Sequence, residues 1–188
     1  MRLFLAINPA SDLQLRIEKA TSAVRRAAPD LRWIAPDRVH LTMRFLGEVP
    51  VDRVPAIGES VDAVVSRHGE TPFTLNGIGA FPNFRRARVV WVSVEPHPRL
   101  ELLHHDVEEA CTQMGFEPEG RPFRPHLTIA RVPDGTDETT LRALSHAARA
   151  VQFAETAEVS SVDLMVSEPA AGGVQYRLLH ASSLGTAV

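Results

Sequence analysis

Apolar residues recur along this chain with two periods, and each period predicts its own element. Where the period is two, side chains alternate faces and the segment reads as a strand. Val39, Leu41, Met43 and Phe45 alternate with His40, Thr42 and Arg44, and Gly47 and Pro50 stop the run. That alternation predicts a strand with the first set in a core and the second on an open face. The opening Met1 to Ile7 also reads as a strand. So do 73–75 and 88–94, joined across the turn-rich 77–83, and 126–129, where Leu127 and Ile129 face inward. Segments 159–166 and 174–181 read as a closing hairpin across Ala171-Gly172-Gly173.

Where the period approaches 3.6 the segment reads as an amphipathic helix. Leu13, Ile17, Ala20 and Val24 predict a first helix, with Ser11 as N-cap, Gln14 as its capping-box partner and an end before Pro29. Val54, Ile57, Val61, Val64 and Val65 predict a second, ended by Gly69 and Pro72. Leu100, Leu103, Val107, Ala110, Cys111 and Met114 predict a third, after Pro98 and before Gly115. A fourth is expected over about 137–150. Helices and strands thus interleave without any Gly-rich nucleotide loop, and one folding unit is expected over residues 1–188.

The tripeptide His-Leu-Thr occurs twice, as His40-Leu41-Thr42 and His126-Leu127-Thr128, each on a predicted strand. Alternation sends the imidazole and the hydroxyl to one face and the leucine to a core. A single histidine on a half-buried strand is most often structural, and His68, His97, His146 and His180 are read that way. His104 and His105 diverge around a helix and read as a solvated pair. The repetition singles out His40 and His126. Each copy follows one amphipathic helix and precedes another, which suggests duplicated lobes about a pseudo-twofold axis, with the two tripeptide strands facing across a cleft. Two imidazoles meeting there would offer a proton acceptor and a proton donor near neutral pH, as attack by water on a phosphodiester requires.

Composition narrows the chemistry. Lys19 is the only lysine and no Gly-Lys-Ser/Thr loop occurs, which argues against a nucleotidyl-lysine intermediate or a P-loop. Cys111 is alone and lies on the apolar side of the third helix, so it reads as a buried thiol. Neither tripeptide has the ligand spacing of a dedicated metal site, and no metal or other cofactor is expected. The formal net charge of −3 gives no global attraction for nucleic acid, so any such contact is local. Arg85, Arg86 and Arg88, interleaved with Phe81 and Phe84, read either as a basic, aromatic edge that stacks bases or as a turn rich in solvated arginines. No segment approaches the roughly 20 apolar residues of a membrane span. The first apolar stretch is too short for a secretory signal, so the expected address is the cytoplasm.

The segments from His40 to Gly47 and from Arg121 to Arg131 resemble the paired His-x-Thr motifs of the 2H phosphoesterase superfamily, and within it the RNA 2′,3′-cyclic phosphodiesterases, long called 2′-5′ RNA ligases. Arg2 to Ala6, Arg32-Trp33, Phe81-Pro82-Asn83 and 88–92 are also similar to that group. The resemblance implies a bilobal α+β fold, two antiparallel sheets flanking a V-shaped cleft with helices on the outer faces. It implies metal-independent opening of a 2′,3′-cyclic phosphate at an RNA end to a 2′-phosphate, with 2′-5′ joining as a side reaction, by a protein expected to act as a monomer. His126 would accept the proton of water, His40 would protonate the departing O3′, and Thr42 and Thr128 would hold the non-bridging oxygens. The residues alone leave acid and base interchangeable. The family's arginine, five positions after the second histidine, falls on Arg131, although strict alternation puts Arg131 on the leucine face. Two alternatives stand beside this: a phosphodiesterase for small cyclic or 2′,5′-linked nucleotides, and a non-catalytic module that binds RNA ends.

Overall fold

The computed structural model describes residues 1–170 and 173–185. In chain order these form β1 (Arg2–Ile7), α1 (Ser11–Ala27), β2 (Arg32–Trp33), β3 (Leu41–Glu48), α2 (Val54–Val65), β4 (Pro72–Phe81) and β5 (Val89–Val94). There follow α3 (Pro98–Gln113), β6 (His126–Arg131), α4 (Glu138–Ala150), β7 (Ala154–Glu158), β8 (Ser161–Ala170) and β9 (Gly173–Ser183). The strands pair antiparallel in one curled sheet, ordered β7-β4-β5-β6-β3-β1-β8-β9, with β2 alongside β6.

This corrects the expectation of two separate sheets. The halves β7-β4-β5-β6 and β3-β1-β8-β9 are continuous, though they join through a single register pair, Leu41 with Leu127. The two tripeptide leucines are fully buried side by side, and that shared burial holds the central strands together. Beyond them a 3-10 turn at Pro36–Arg38 carries the chain away from β6 just before His40.

One core lies on one face of the sheet. It takes Leu3, Leu5 and Ile7 from β1, Leu127 and Ile129 from β6 and Val162, Leu164 and Val166 from β8. Side chains of all four helices complete it, among them Leu13, Ile57, Leu103 and Leu144. The opposite face carries a smaller apolar group, Phe4, Ala6 and Met165, with Tyr176 packed against it. Single residues of β1 thus serve both layers by turns.

Other expectations need amendment. The turn-rich stretch 77–83 belongs largely to a strand: β4 runs to Phe81 through a register shift after Leu75, where Gly77 takes φ +72°. Helix α1 starts at Ser11, but Ala10 occupies the cap position, so Ser11 caps nothing. The edge strand β7, with short alanines among its five residues, escaped the hydrophobic reading. Of the closing turn, Ala171 and Gly172 lie outside the described residues. His104 is not solvated; it stacks on Phe123 with ring centroids 3.7 Å apart. Cys111 is buried as expected, and burial pushes its thiol up to about 11. No described helix is long and apolar enough to cross a membrane.

The largest departure from simple alternation is in β3. Its register against β1 slips twice, beside Met43 and beside Leu46, so extra residues bulge out of the ladder and the faces exchange. Phe45, expected in the core, is 60% exposed, whereas Arg44, expected beside Thr42, is only 3% exposed on the helix side. There Arg44 pairs with Glu108 of α3 at 3.1 Å and with Glu119 at 3.5 Å, and donates to the carbonyl of Glu117. The backbone N–H of Glu119 donates to Glu108 at 2.7 Å. Arg44 is therefore a structural tie that fastens the loop leading to His126 onto β3 and α3.

Candidate active site

The pair Leu41 with Leu127 fixes what surrounds it. An antiparallel register carried one residue to either side of that pair would set His40 opposite Thr128 and Thr42 opposite His126, all on the face away from the leucines. The two histidines are then diagonal neighbours, for which backbones lie about 7–8 Å apart, room for one phosphate between the rings. Two further registers agree on the face. Thr42 is paired with Ala6, which belongs to the smaller apolar group, and Thr128 is paired with Trp91, whose ring lies 6.2 Å from that of His126.

Each imidazole is oriented in the same way. The carbonyl of Arg38 lies 2.8 Å from Nδ1 of His40, and the carbonyl of Arg124 lies 2.6 Å from Nδ1 of His126. A carbonyl only accepts, so both Nδ1 atoms carry hydrogen, and Nε2 is the atom left to exchange a proton. Both carbonyls belong to the residue two positions before the histidine, a relation that neither composition nor alternation discloses.

Aromatic rings from neighbouring strands hold each imidazole. His40 lies 5.1 Å from Phe4 and meets Tyr176 edge-on at 5.1 Å; His126 meets Phe81 edge-on at 5.0 Å. The Trp91 indole reaches across β4 at Gly79, where a Cβ would come within 2.2 Å of the ring. Glycine at this position is what lets the indole lie there. Burial holds His40 below the ordinary imidazole range. The charges of Arg131 and His126 act in the same direction, and the Arg38 carbonyl opposes them.

Arg131 is on the histidine face, not the leucine face. The register of β6 against β5 slips between Thr128 and Ala130, so Ile129 and Ala130 are both buried and the parity reverses. Arg131 is consequently paired with Val89, which is paired in turn with Phe81, the ring beside His126. Of the two readings of the arginine-rich stretch, the solvated turn fits Arg85 and Arg86, and the basic, aromatic edge is divided. Phe81 joins His126, while Phe84 packs against the helix-side core and Arg85 and Arg86 stay exposed on a 3-10 turn capped by Asn83. Among the described residues, His105, Asp106 and Glu109 of α3 are grouped closely enough to share an ion, and that group includes neither site histidine.

A cavity of about 370 Å³ opens beside His40, between the turn that carries Asp37 and Arg38 and the strand that carries Gln175, Tyr176 and Arg177. The arrangement can therefore present two Nε2 atoms, two hydroxyls and a guanidinium to an anion, with adjoining space for an organic group.

Residues 9–170 match the family model described as the 2′-5′ RNA ligase superfamily. The chain is 31% identical over 166 residues to an RNA 2′,3′-cyclic phosphodiesterase of Aeropyrum pernix, covering 88% of this chain and 93% of the relative. It is 28% identical over 176 residues to the Methanothermobacter thermautotrophicus protein of that name, covering 94% and 95%. With a Geobacillus stearothermophilus protein of the same name it shares 32% over 128 residues, which is 68% of this chain but spans only 41% of that relative. Among solved structures, TT0787 of Thermus thermophilus superposes with a TM-score of 0.81 at 24% identity, over 97% of both chains. Escherichia coli LigT complexed with 3′-AMP superposes with a TM-score of 0.74 at 25% identity, over 97% of both. The chain belongs to the 2′-5′ RNA ligase superfamily, a branch of the 2H phosphoesterases.

Proposed function

We propose that this protein hydrolyses 2′,3′-cyclic phosphates at RNA ends to 2′-phosphates by two-histidine acid–base catalysis. One observation carries the reading: His40 and His126, each anchored through Nδ1 to a backbone carbonyl, share one face with a threonine beside each ring. The names of the Aeropyrum and Methanothermobacter relatives support the substrate class.

In the proposed step, Nε2 of His126 takes a proton from a water molecule as its oxygen attacks phosphorus. The P–O3′ bond breaks in line with the new bond, and Nε2 of His40 gives its proton to O3′. The product keeps the phosphate on O2′. Proton return between the rings through solvent resets the site. Thr42 and Thr128 hold the non-bridging oxygens, and Arg131 meets their charge with a guanidinium that stays ionised at every working pH. Neither ring needs an ion in this scheme, so the reaction is metal-independent. Replacing water by the 5′-hydroxyl of a second RNA gives 2′-5′ joining through the same motions.

His40 must begin each turnover protonated, yet burial favours its neutral form in the free protein. The bound phosphodiester supplies the offset: an anion beside the ring favours imidazolium. Substrate therefore helps to charge its own acid.

The test is incubation of an RNA ending in a 2′,3′-cyclic phosphate, in chelator, with the terminal phosphate position then identified. A 2′-phosphate from the unaltered protein, and none from His40→Ala or His126→Ala, is the expected result. A 3′-phosphate, or activity that disappears with chelation, would contradict the scheme.

A further inference from the structure

We propose that α3 carries a zinc site, on the helix side of the sheet and away from the histidine pair, in which His105, Asp106 and Glu109 bind the ion and His68 positions Asp106. The ion fastens α3 to the segment that follows α2.

Helical spacing brings the three ligands together. Glu109 stands one turn beyond His105 and three positions beyond Asp106, so its side chain is a neighbour of both. One donor atom from each residue lies within 4.8 Å of the other two. Zinc draws nitrogen and oxygen ligands to about 2.0–2.2 Å, and the exposed side chains of His105 and Glu109 are free to swing to meet it. Leu103, Val107 and Ala110 are buried along the core side of α3 and hold the helix backbone beneath the cluster in place.

The surroundings prepare both carboxylates for a cation. Nε2 of His68 lies 2.9 Å from Oδ2 of Asp106, and a carboxylate only accepts, so that nitrogen carries the hydrogen. The His68 side chain is only 9% exposed, which fixes the direction of the bond. Asp106 is therefore held through one oxygen and keeps Oδ1 to give, the arrangement by which outer partners orient a metal-bound carboxylate. Gln113 donates to Oε1 of Glu109 at 3.4 Å and leaves Oε2 over. Among the described residues neither Asp106 nor Glu109 pairs with an arginine or lysine, whereas Glu108 beside them pairs with Arg44. Two carboxylates without a protein cation call for a divalent ion, and the imidazole between them favours zinc over magnesium or calcium. The backbone N–H of His68 donates to the carbonyl of Val65, so the grip on Asp106 reaches the end of α2.

The test is calorimetric titration of the untagged, metal-stripped full chain with Zn²⁺, together with thermal melting. Equimolar binding is expected. With free Zn²⁺ at about a hundred times its dissociation constant, the melting midpoint should rise by about 5–10 °C, and Mg²⁺ at the same concentration should leave it in place. His105→Ala and Glu109→Gln are each expected to abolish the rise. His68→Ala should weaken Zn²⁺ binding about 10–100-fold, and His68→Gln, which keeps an N–H donor, should restore most of the affinity. Circular dichroism of each metal-free variant verifies folding. A midpoint that Zn²⁺ leaves unchanged in the unaltered protein would overturn the proposal. Affinity that survives both His105→Ala and Glu109→Gln, or that is lost in His40→Ala or His126→Ala, would put the ion elsewhere and overturn it as well.

Discussion

The two halves of the sheet present one chemical group in two settings, His40 enclosed by Phe4 and Tyr176 and His126 resting on Phe81 near Trp91 at a more open position. Both rings are pinned through Nδ1 to the carbonyl two residues upstream, so orientation is shared and depth is not. Burial and the neighbouring positive charges lower the proton affinity of His40. Identical tripeptides thus become inequivalent through the strands packed around them, and a step that must both give and take a proton needs such inequivalence.

The harshest way to probe that inequivalence is to remove one ring at a time. His40→Ala and His126→Ala are each expected to lower kcat about 10²–10⁴-fold, measured by initial rates on a cyclic-phosphate substrate. The roles separate with a diester whose leaving group is a nitrophenolate, which departs without a proton. His40→Ala is expected to recover much of its loss there and His126→Ala very little; equal recovery would reverse or abolish the assignment.

Next in size is the tie that fastens the loop before His126 onto β3 and α3. Arg44→Met leaves Glu108, 20% exposed, and Glu119, 38% exposed, without their cation; solvent at the carboxylates brings the cost below the roughly 3–5 kcal/mol of a fully buried pair, to about 1–3 kcal/mol. Urea unfolding should register most of that loss. An unchanged midpoint would show that the loop before His126 is held by other contacts.

Smaller effects are expected from the hydroxyls. Thr42→Val and Thr128→Val keep shape and remove a donor, so each should reduce kcat/KM about tenfold, with the two losses similar because the positions are equivalent about one phosphate. A loss confined to one threonine would break the equivalence. The subtlest effect is in pH. Lowered affinity means that His40 sheds its proton below the ordinary imidazole value of about 6.5, so the alkaline limb of kcat/KM, which reports the free protein, should fall below that value. In kcat the limb should move upward, because the bound anion favours the charged ring. A limb in kcat/KM above the ordinary value would contradict the burial of His40.

What the sequence made legible was local. The alternation around His40 and His126 was enough to put imidazole and hydroxyl on one face, and the helix stripes marked the residues that now share a core with the leucines. What it concealed depended on partners. The bulges beside Met43 and Ile129 arise from register against β1 and β5, and they send Arg44 into the helix layer and Arg131 out to the histidines, the reverse of what parity predicts. Phe4, Tyr176, Phe81 and Trp91 reach the rings from four other strands, so no spacing within either motif could announce them. The union of both halves in one sheet rests on one leucine pair, a contact between residues remote in the chain.

The central claim is that both imidazoles act on a single phosphorus atom in a single step, and the double variant His40→Ala/His126→Ala tests it most directly. Groups that act as a unit lose their effect together, so its kcat is expected to be close to that of the slower single variant. If the two single losses multiply instead, the rings work independently and the shared step is wrong.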